Sequence, residues 1–170
     1  MKKVNNKGFS LIELVVTIAI MAVVTGGAVS LYLYVSTANV KQCYTGINDE
    51  LGATRTYAMS KKGKWSVTVK KESDKYYAVV SKDGSEVSKT KLGKDGEFTL
   101  TYKKLPDGAA IATEVEITDS ASTWPTIMFN SGSGACLVVD GYTVSEFKVS
   151  NPNLTKTVKL VKATGKHYVK

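Results

Sequence analysis

Apolar and polar positions follow two different patterns along this chain, and the change comes near residue 60. From Leu14 to Val40 no side chain is charged. As a helix this stretch would extend roughly 40 Å at about 1.5 Å per residue, whereas a bilayer core needs about 20 apolar residues. The pattern therefore predicts a membrane-spanning helix close to the N-terminus.

The helical pattern continues beyond the apolar stretch. Apolar or small residues recur at alternating steps of four and three, which predicts one buried face of an amphipathic helix: Val40, Tyr44, Ile47, Leu51, Thr54 and Ala58. The sequence Lys61-Lys62-Gly63 supplies cations and a glycine stop. We therefore expect one long helix from Phe9 to about Ser60.

From Lys64 onward the period changes to two, which is typical of β-strands. Turn signals such as Lys82-Asp83-Gly84 and Pro106-Asp107-Gly108 separate the alternating segments. Strands are predicted at Trp65–Lys70, Tyr76–Ser81, Glu97–Tyr102, Ala110–Thr118, Thr126–Phe129, Leu137–Val139, Val144–Val149 and Thr157–Val161. The fold class is therefore α+β: a long N-terminal helix packed on a mostly antiparallel β head.

Charges near the N-terminus set an orientation and raise a difficulty. Lys2, Lys3 and Lys7 precede the apolar stretch, and the next basic residue is Lys41. By the positive-inside rule the N-terminus stays cytoplasmic and the head is extracytoplasmic. Glu13, however, lies at the edge of the apolar stretch, and a carboxylate at the centre of a bilayer costs about 2.5–3.5 kcal/mol on insertion scales. A carboxylate in this position needs an interaction partner that offsets this cost.

The run from Lys7 to Val15, Lys-Gly-Phe-Ser-Leu-Ile-Glu-Leu-Val, resembles the cleavage and methylation signature of type IV prepilins and type II secretion pseudopilins. The resemblance implies that a membrane prepilin peptidase cuts between Gly8 and Phe9 and that Phe9 is N-methylated. It also implies that Glu13 neutralises the new N-terminal ammonium of a neighbouring subunit during filament assembly.

The same resemblance implies a domain organisation: a cleaved basic leader (1–8), a transmembrane and filament-core helix (9–35), an amphipathic second half (36–60) and an extracytoplasmic head (61–170). It implies a structural, non-enzymatic subunit of a type IV pilus or a pilus-like secretion or uptake system. The expected partners are other pilin or pseudopilin subunits, the prepilin peptidase/methyltransferase, an assembly platform protein, an assembly ATPase and the membrane.

Several alternatives stay open at this point. Gly26-Gly27-Ala28 could be a signal-peptidase site, or the helix could be a plain anchor for an unrelated enzyme or ligand-binding module. A competence-type DNA-binding minor pilin is a further alternative. The glycine pair could be a soft point of the helix or a place for close helix packing. Ser30 stands where many major pilins have a proline.

The C-terminal third adds a looser likeness. Phe129 and Gly132 in one segment, and a late strand followed by Thr164-Gly165-Lys166, resemble parts of the heads of H-type minor pseudopilins. The heads of that family carry a Phe-x-x-x-Gly segment, whereas Phe129 and Gly132 are three positions apart with no proline between them, so the likeness is looser here than at the N-terminus.

Composition changes little in this picture. The formal net charge is +8 in 170 residues, and Arg55 is the single arginine beside 22 lysines, which is typical of a solvated surface rather than a base-reading one. Nucleic acid is therefore the less favoured partner, although Lys156, Lys159, Lys162, Lys166 and Lys170 form a basic tail. Cys43 and Cys136 are a candidate disulfide pair or two free thiols. No catalytic constellation, metal site or cofactor motif stands out, and His167 is expected on a frayed C-terminal end.

Overall fold

The computed structural model describes residues 9–94 and 96–170. One long helix, α1 (Leu11–Ser60), is followed by a β-rich head. The strands are β1 (Trp65–Glu72), β2 (Lys75–Lys82), β3 (Ser85–Lys94), β4 (Thr99–Pro106), β5 (Thr113–Glu116), β6 (Thr126–Met128), β7 (Tyr142–Ser150), β8 (Thr155–Leu160) and β9 (His167–Val169), with a short 3₁₀ helix at Ala121–Thr123. The predicted α+β class is confirmed.

Helix α1 begins two residues after the predicted start and ends at the predicted Ser60. Beyond it, Gly63 has a φ of +111°, which favours glycine over any residue with a side chain. The chain divides into two compact units between Val35 and Ser36. The first unit contains the apolar part of α1, and the second contains the rest of α1 and the head.

The second unit contains two antiparallel sheets. In the first the strand order is β3-β2-β1-β6, and in the second it is β5-β4-β7-β8-β9. The inner faces of both sheets carry large buried side chains, among them Tyr76 and Val67 in the first sheet and Tyr102 and Phe147 in the second. These side chains join one hydrophobic core with residues of α1.

The buried stripe of α1 is what ties the helix to this core. Six of its residues are buried: Val40, Cys43, Ile47, Leu51, Thr54 and Ala58. The stripe predicted from the sequence is therefore correct except at one position, because Cys43 replaces Tyr44, which is only partly buried and packs at the margin of the core.

Most predicted strands are present, but three predictions need correction. Residues Leu137–Val139 do not form a strand, and only isolated bridges, Phe129 with Cys136 and Val139 with Tyr142, occur there. The strand predicted over Ala110–Thr118 is shortened to β5. His167 is not on a frayed end: it is the first residue of β9, half-buried, and its ring faces Gly52 of α1.

Strands β3 and β9 are absent from the sequence-based prediction, yet both reach the helix. In β3, Leu92 packs so closely on Gly46 that a Cβ added there would lie 2.7 Å from the Leu92 Cδ2 atom. On the same strand, the hydroxyl of Thr90 donates a hydrogen bond to the Glu50 carboxylate. Strand β3 therefore belongs to the core although most of its side chains face solvent.

Leu92→Ala tests this role of β3. Leu92 is fully buried, so we expect the free energy of unfolding to fall by about 2–5 kcal/mol, as for other buried leucines. Val87→Ala on the same strand is the matched control, because Val87 is 55% exposed and should change stability by less than about 0.5 kcal/mol. Equal effects of the two substitutions in chemical denaturation would contradict the packing of β3.

Candidate functional site

The residues of the predicted cleavage and assembly site lie at the start of α1, and the structure describes only part of them. Phe9 is 82% exposed and Glu13 lies on the exposed first turn of α1. Gly8 and the leader lysines lie outside the described residues. Cleavage at Gly8/Phe9 and methylation of Phe9 therefore stay predictions.

Glu13 has a partner within its own chain. The Ser10 backbone N–H donates to the Glu13 Oε2 atom at 2.9 Å, and the Glu13 backbone N–H donates to the Ser10 Oγ atom at 3.3 Å. This reciprocal pair is a capping box, which satisfies N–H groups that a helix start leaves without partners. Ser10 was missed in the sequence analysis, although the spacing Ser-x-x-Glu before an apolar run is a recognised signal for this arrangement.

The part of α1 that follows Glu13 exposes its apolar side chains all round. Large residues from Leu11 to Val35 are exposed, including Val16, Val23 and Leu31. Among the described residues, α1 is the one helix long and apolar enough to cross a membrane. By length and composition this segment fits a bilayer, in which its exposed side chains would be covered.

The helix is continuous through Gly26 and Gly27, and each glycine has open space where a Cβ would project. The hydroxyls of Thr25 and Ser30 donate to carbonyls four residues earlier in the same helix. These two hydroxyls thus find partners inside the helix, as hydrocarbon surroundings require.

At the start of the second unit, the head holds α1 at Ser36. The Asn151 side-chain amide donates to the Ser36 carbonyl oxygen at 2.9 Å and to the Ser36 Oγ atom at 2.8 Å. The Asn151 Oδ1 atom accepts hydrogen bonds from the backbone N–H groups of Asn153 and Leu154. The β7–β8 turn therefore fixes where the docked part of the helix begins.

Near the C-terminal end of α1, Arg55 binds two loops of the C-terminal third, one at Gly134 and one at Thr164. Its Nε–H donates to the carbonyl oxygens of Gly134, at 3.2 Å, and Thr164, at 3.1 Å. Gly165, with a φ of +63°, approaches so closely that a Cβ there would lie 1.8 Å from the Gly134 oxygen and 3.0 Å from the Phe129 ring. This arrangement needs a glycine and anchors both loops to the helix.

The two cysteines are buried and free, so the candidate disulfide is not formed in this structure. Arg55 bonds to the Gly134 carbonyl oxygen, two residues before Cys136, whereas Cys43 precedes Arg55 by 12 positions of helix, or roughly 18 Å. Bridged cysteines usually have Cα atoms within about 7 Å. Burial raises the pKa of the Cys43 thiol, and burial, opposed by the Arg55 charge, raises the pKa of the Cys136 thiol to about 11.

The basic tail is partly neutralised. The Lys162 ammonium lies 2.9 Å from the Asp107 carboxylate, and the Lys159 ammonium lies 4.0 Å from that of Glu146. Lys103 also pairs with Glu146 at 2.6 Å. These ion pairs leave less of the tail for a polyanion.

In residues 9–94 and 96–170, no three His, Cys, Asp or Glu side chains cluster as metal ligands would.

A long helix whose C-terminal part packs on antiparallel sheets gives this chain a pilin-like α+β fold, and the apolar part of the helix fits a membrane by length and composition. Residues 3–29 match the family model for the prokaryotic N-terminal methylation motif, the signature of type IV pilins. The resemblance to prepilins is thus confirmed over the N-terminal region, whereas this match leaves the head uncovered. A search of curated proteins and a search of solved structures found no match.

Ser10→Ala tests the capping box. Loss of the Ser10 hydroxyl should cost about 1 kcal/mol of local helix stability, so the amides of the first turn should exchange about fivefold faster in detergent micelles. Ser30→Ala is the matched control, because its hydroxyl bonds within the helix interior and should leave first-turn exchange unchanged. Unchanged first-turn exchange in Ser10→Ala would contradict the cap.

Alkylation tests the state of the two thiols. Because only the thiolate reacts and both thiols are buried with raised pKa values, neither Cys43 nor Cys136 should be alkylated in the native protein at pH 8. Raising the pH toward 11 should increase the reaction of Cys136, provided the fold persists. In denaturant without reductant both should react; reaction only after reduction would instead establish the disulfide.

Proposed function

We propose that this protein is a structural, non-enzymatic subunit, of the minor pilin or pseudopilin type, of a type IV pilus or a related pilus-like system. The match of residues 3–29 to the methylation motif carries the proposal. A membrane prepilin peptidase removes residues 1–8 by cutting between Gly8 and Phe9, and Phe9 is then N-methylated. An assembly ATPase and a platform protein move the subunit into a filament.

The exposed half of α1 supports this role. Burying one large aliphatic side chain is worth about 1.5–3 kcal/mol, and Leu11–Val35 exposes many of them. Before assembly the bilayer covers this surface, and after assembly the helices of other subunits do. The head keeps its own core through the Val40-to-Ala58 stripe, so it needs no refolding when the apolar half changes surroundings.

Glu13 sets the axial register of each subunit as it moves from the membrane into the filament. Cutting after Gly8 creates an ammonium at Phe9, and a carboxylate attracts it strongly in a medium of low dielectric constant. Within one chain, the Glu13 side chain bonds to the Ser10 N–H. Because a carboxylate can accept several hydrogen bonds, it can keep this cap while it also pairs with the Phe9 ammonium of a neighbour.

Intact mass of the protein from its native membrane is the direct test of processing. We expect a chain that begins at Phe9 and carries one additional methyl group on its N-terminal amine. A mass that begins at Met1, or one that begins near Val29 as a signal-peptidase cut would give, would refute the proposal.

Glu13→Gln separates assembly from processing. The amide keeps the acceptor oxygen for the Ser10 cap but cannot neutralise an ammonium, so we expect normal cleavage and at least a tenfold loss of filament incorporation (about 1.4 kcal/mol). Glu116→Gln, a change of an exposed carboxylate in β5, is the control and should assemble normally. Equal incorporation of Glu13→Gln and wild type would remove Glu13 from the mechanism.

A further inference from the structure

Two exposed tyrosines lie near the end of the apolar half of α1. Tyr32 is 69% exposed and Tyr34 is 74% exposed. Successive residues of an α-helix are about 100° apart, so these two rings project about 200° apart, on opposite sides of the helix. A single helix partner contacts residues spaced by three or four positions, which this pair does not satisfy. A layer that surrounds the helix would contact both rings.

Their spacing from Glu13 matches the thickness of a membrane. Tyr32 follows Glu13 by 19 positions, which is roughly 28 Å of helix, and the hydrocarbon core of a bilayer is about 30 Å thick. Beyond Tyr34 and Val35 the sequence becomes polar, with Ser36, Thr37 and Asn39. The two tyrosines therefore lie where the apolar surface of the helix ends.

Tyrosine suits this position chemically. Its ring is apolar and its hydroxyl needs water or a polar partner, so tyrosine and tryptophan are enriched at the two membrane–water interfaces. We propose that Tyr32 and Tyr34, the tyrosine belt, bind the headgroup layer of the outer leaflet and set the depth of α1 in the bilayer. This inference rests on the membrane anchoring in the proposed function.

The belt gives the membrane-bound subunit a defined register. With the belt in the outer headgroup layer, Glu13 lies at the inner edge of the hydrocarbon, where a carboxylate costs less than at the bilayer centre. The chain enters the second unit at Ser36, immediately beyond the belt, and Asn151 holds the helix there. A shift of the helix along the membrane normal would move Glu13 into the hydrocarbon or expose part of the apolar segment to water.

Site-directed spin labelling of the full, unprocessed chain in phosphatidylethanolamine/phosphatidylglycerol vesicles tests the belt. Nitroxides are attached at Val23→Cys, Leu33→Cys and Ala38→Cys, and their depth is measured by collision with oxygen and with a water-soluble nickel complex. The wild-type chain, whose two thiols are buried, gives the labelling background. We expect the Val23 label near the bilayer centre, the Leu33 label at headgroup depth and the Ala38 label in water.

Replacing the tyrosine belt should change the depth of α1 in the bilayer. In Tyr32→Leu/Tyr34→Leu the apolar surface loses its polar edge, so the Ala38 label should move toward the bilayer by roughly 1.5–3 Å, one or two residues of helix rise. Leu31→Ile/Leu33→Ile is the matched control, since it changes two neighbouring side chains without altering polarity, and should leave the Ala38 label in place.

Three outcomes would overturn the belt. The first is a Leu33 label inside the hydrocarbon or fully in water, and the second is an unchanged Ala38 depth after the double leucine substitution. The third is dipolar broadening at Leu33 that persists on dilution with lipid, since it would mean that a second copy of the chain covers this site. None of these readouts depends on cleavage or methylation, so the belt can fail while the intact-mass test succeeds.

Discussion

The structure depends on one helix that satisfies two different surroundings along its length. From Val40 to Ala58, α1 contributes a buried stripe to the core shared by both sheets. From Leu11 to Val35 the same helix exposes apolar side chains on every side. Water is a poor environment for that surface, so a bilayer or other apolar helices must cover it, and the head must be stable without help from it.

The head meets this requirement through contacts made by small residues and by Arg55. Gly46 admits Leu92 of β3, and Gly52 lies under the His167 ring of β9. Arg55 binds carbonyls of two separate loops. These three positions of the helix thus contact an edge strand of each sheet and the C-terminal loops. The contacts close the core around the C-terminal half of α1.

Sequence patterns predicted those parts of the fold whose burial is periodic. The helix stripe recurs at steps of four and three, and strands such as β1 and β2 alternate regularly. These strands were predicted correctly, and the stripe was correct except that Cys43 is buried in place of Tyr44. Strand β3 was missed because only Leu92 and Gly93 of its ten residues are buried, so its alternation is absent. Strand β9 was missed because three residues are too few to show a period, and Leu137–Val139 was wrongly predicted because an apolar run without partner strands looks the same as a short strand.

The candidate site shows the same division between local and distant information. The motif from Gly8 to Glu13 could be read from the sequence because its parts are neighbours along the chain, and the capping partner Ser10 was readable there too. The Ser36–Asn151 and Arg55–Thr164 contacts join residues more than a hundred positions apart, and no local pattern encodes them. The capping box also sharpens the role of Glu13: its carboxylate already stabilises the helix start, so removing the side chain weakens both the cap and any intersubunit pair. Glutamine would retain the cap and lose the proposed intersubunit pair, which is why Glu13→Gln, rather than Glu13→Ala, isolates the charge.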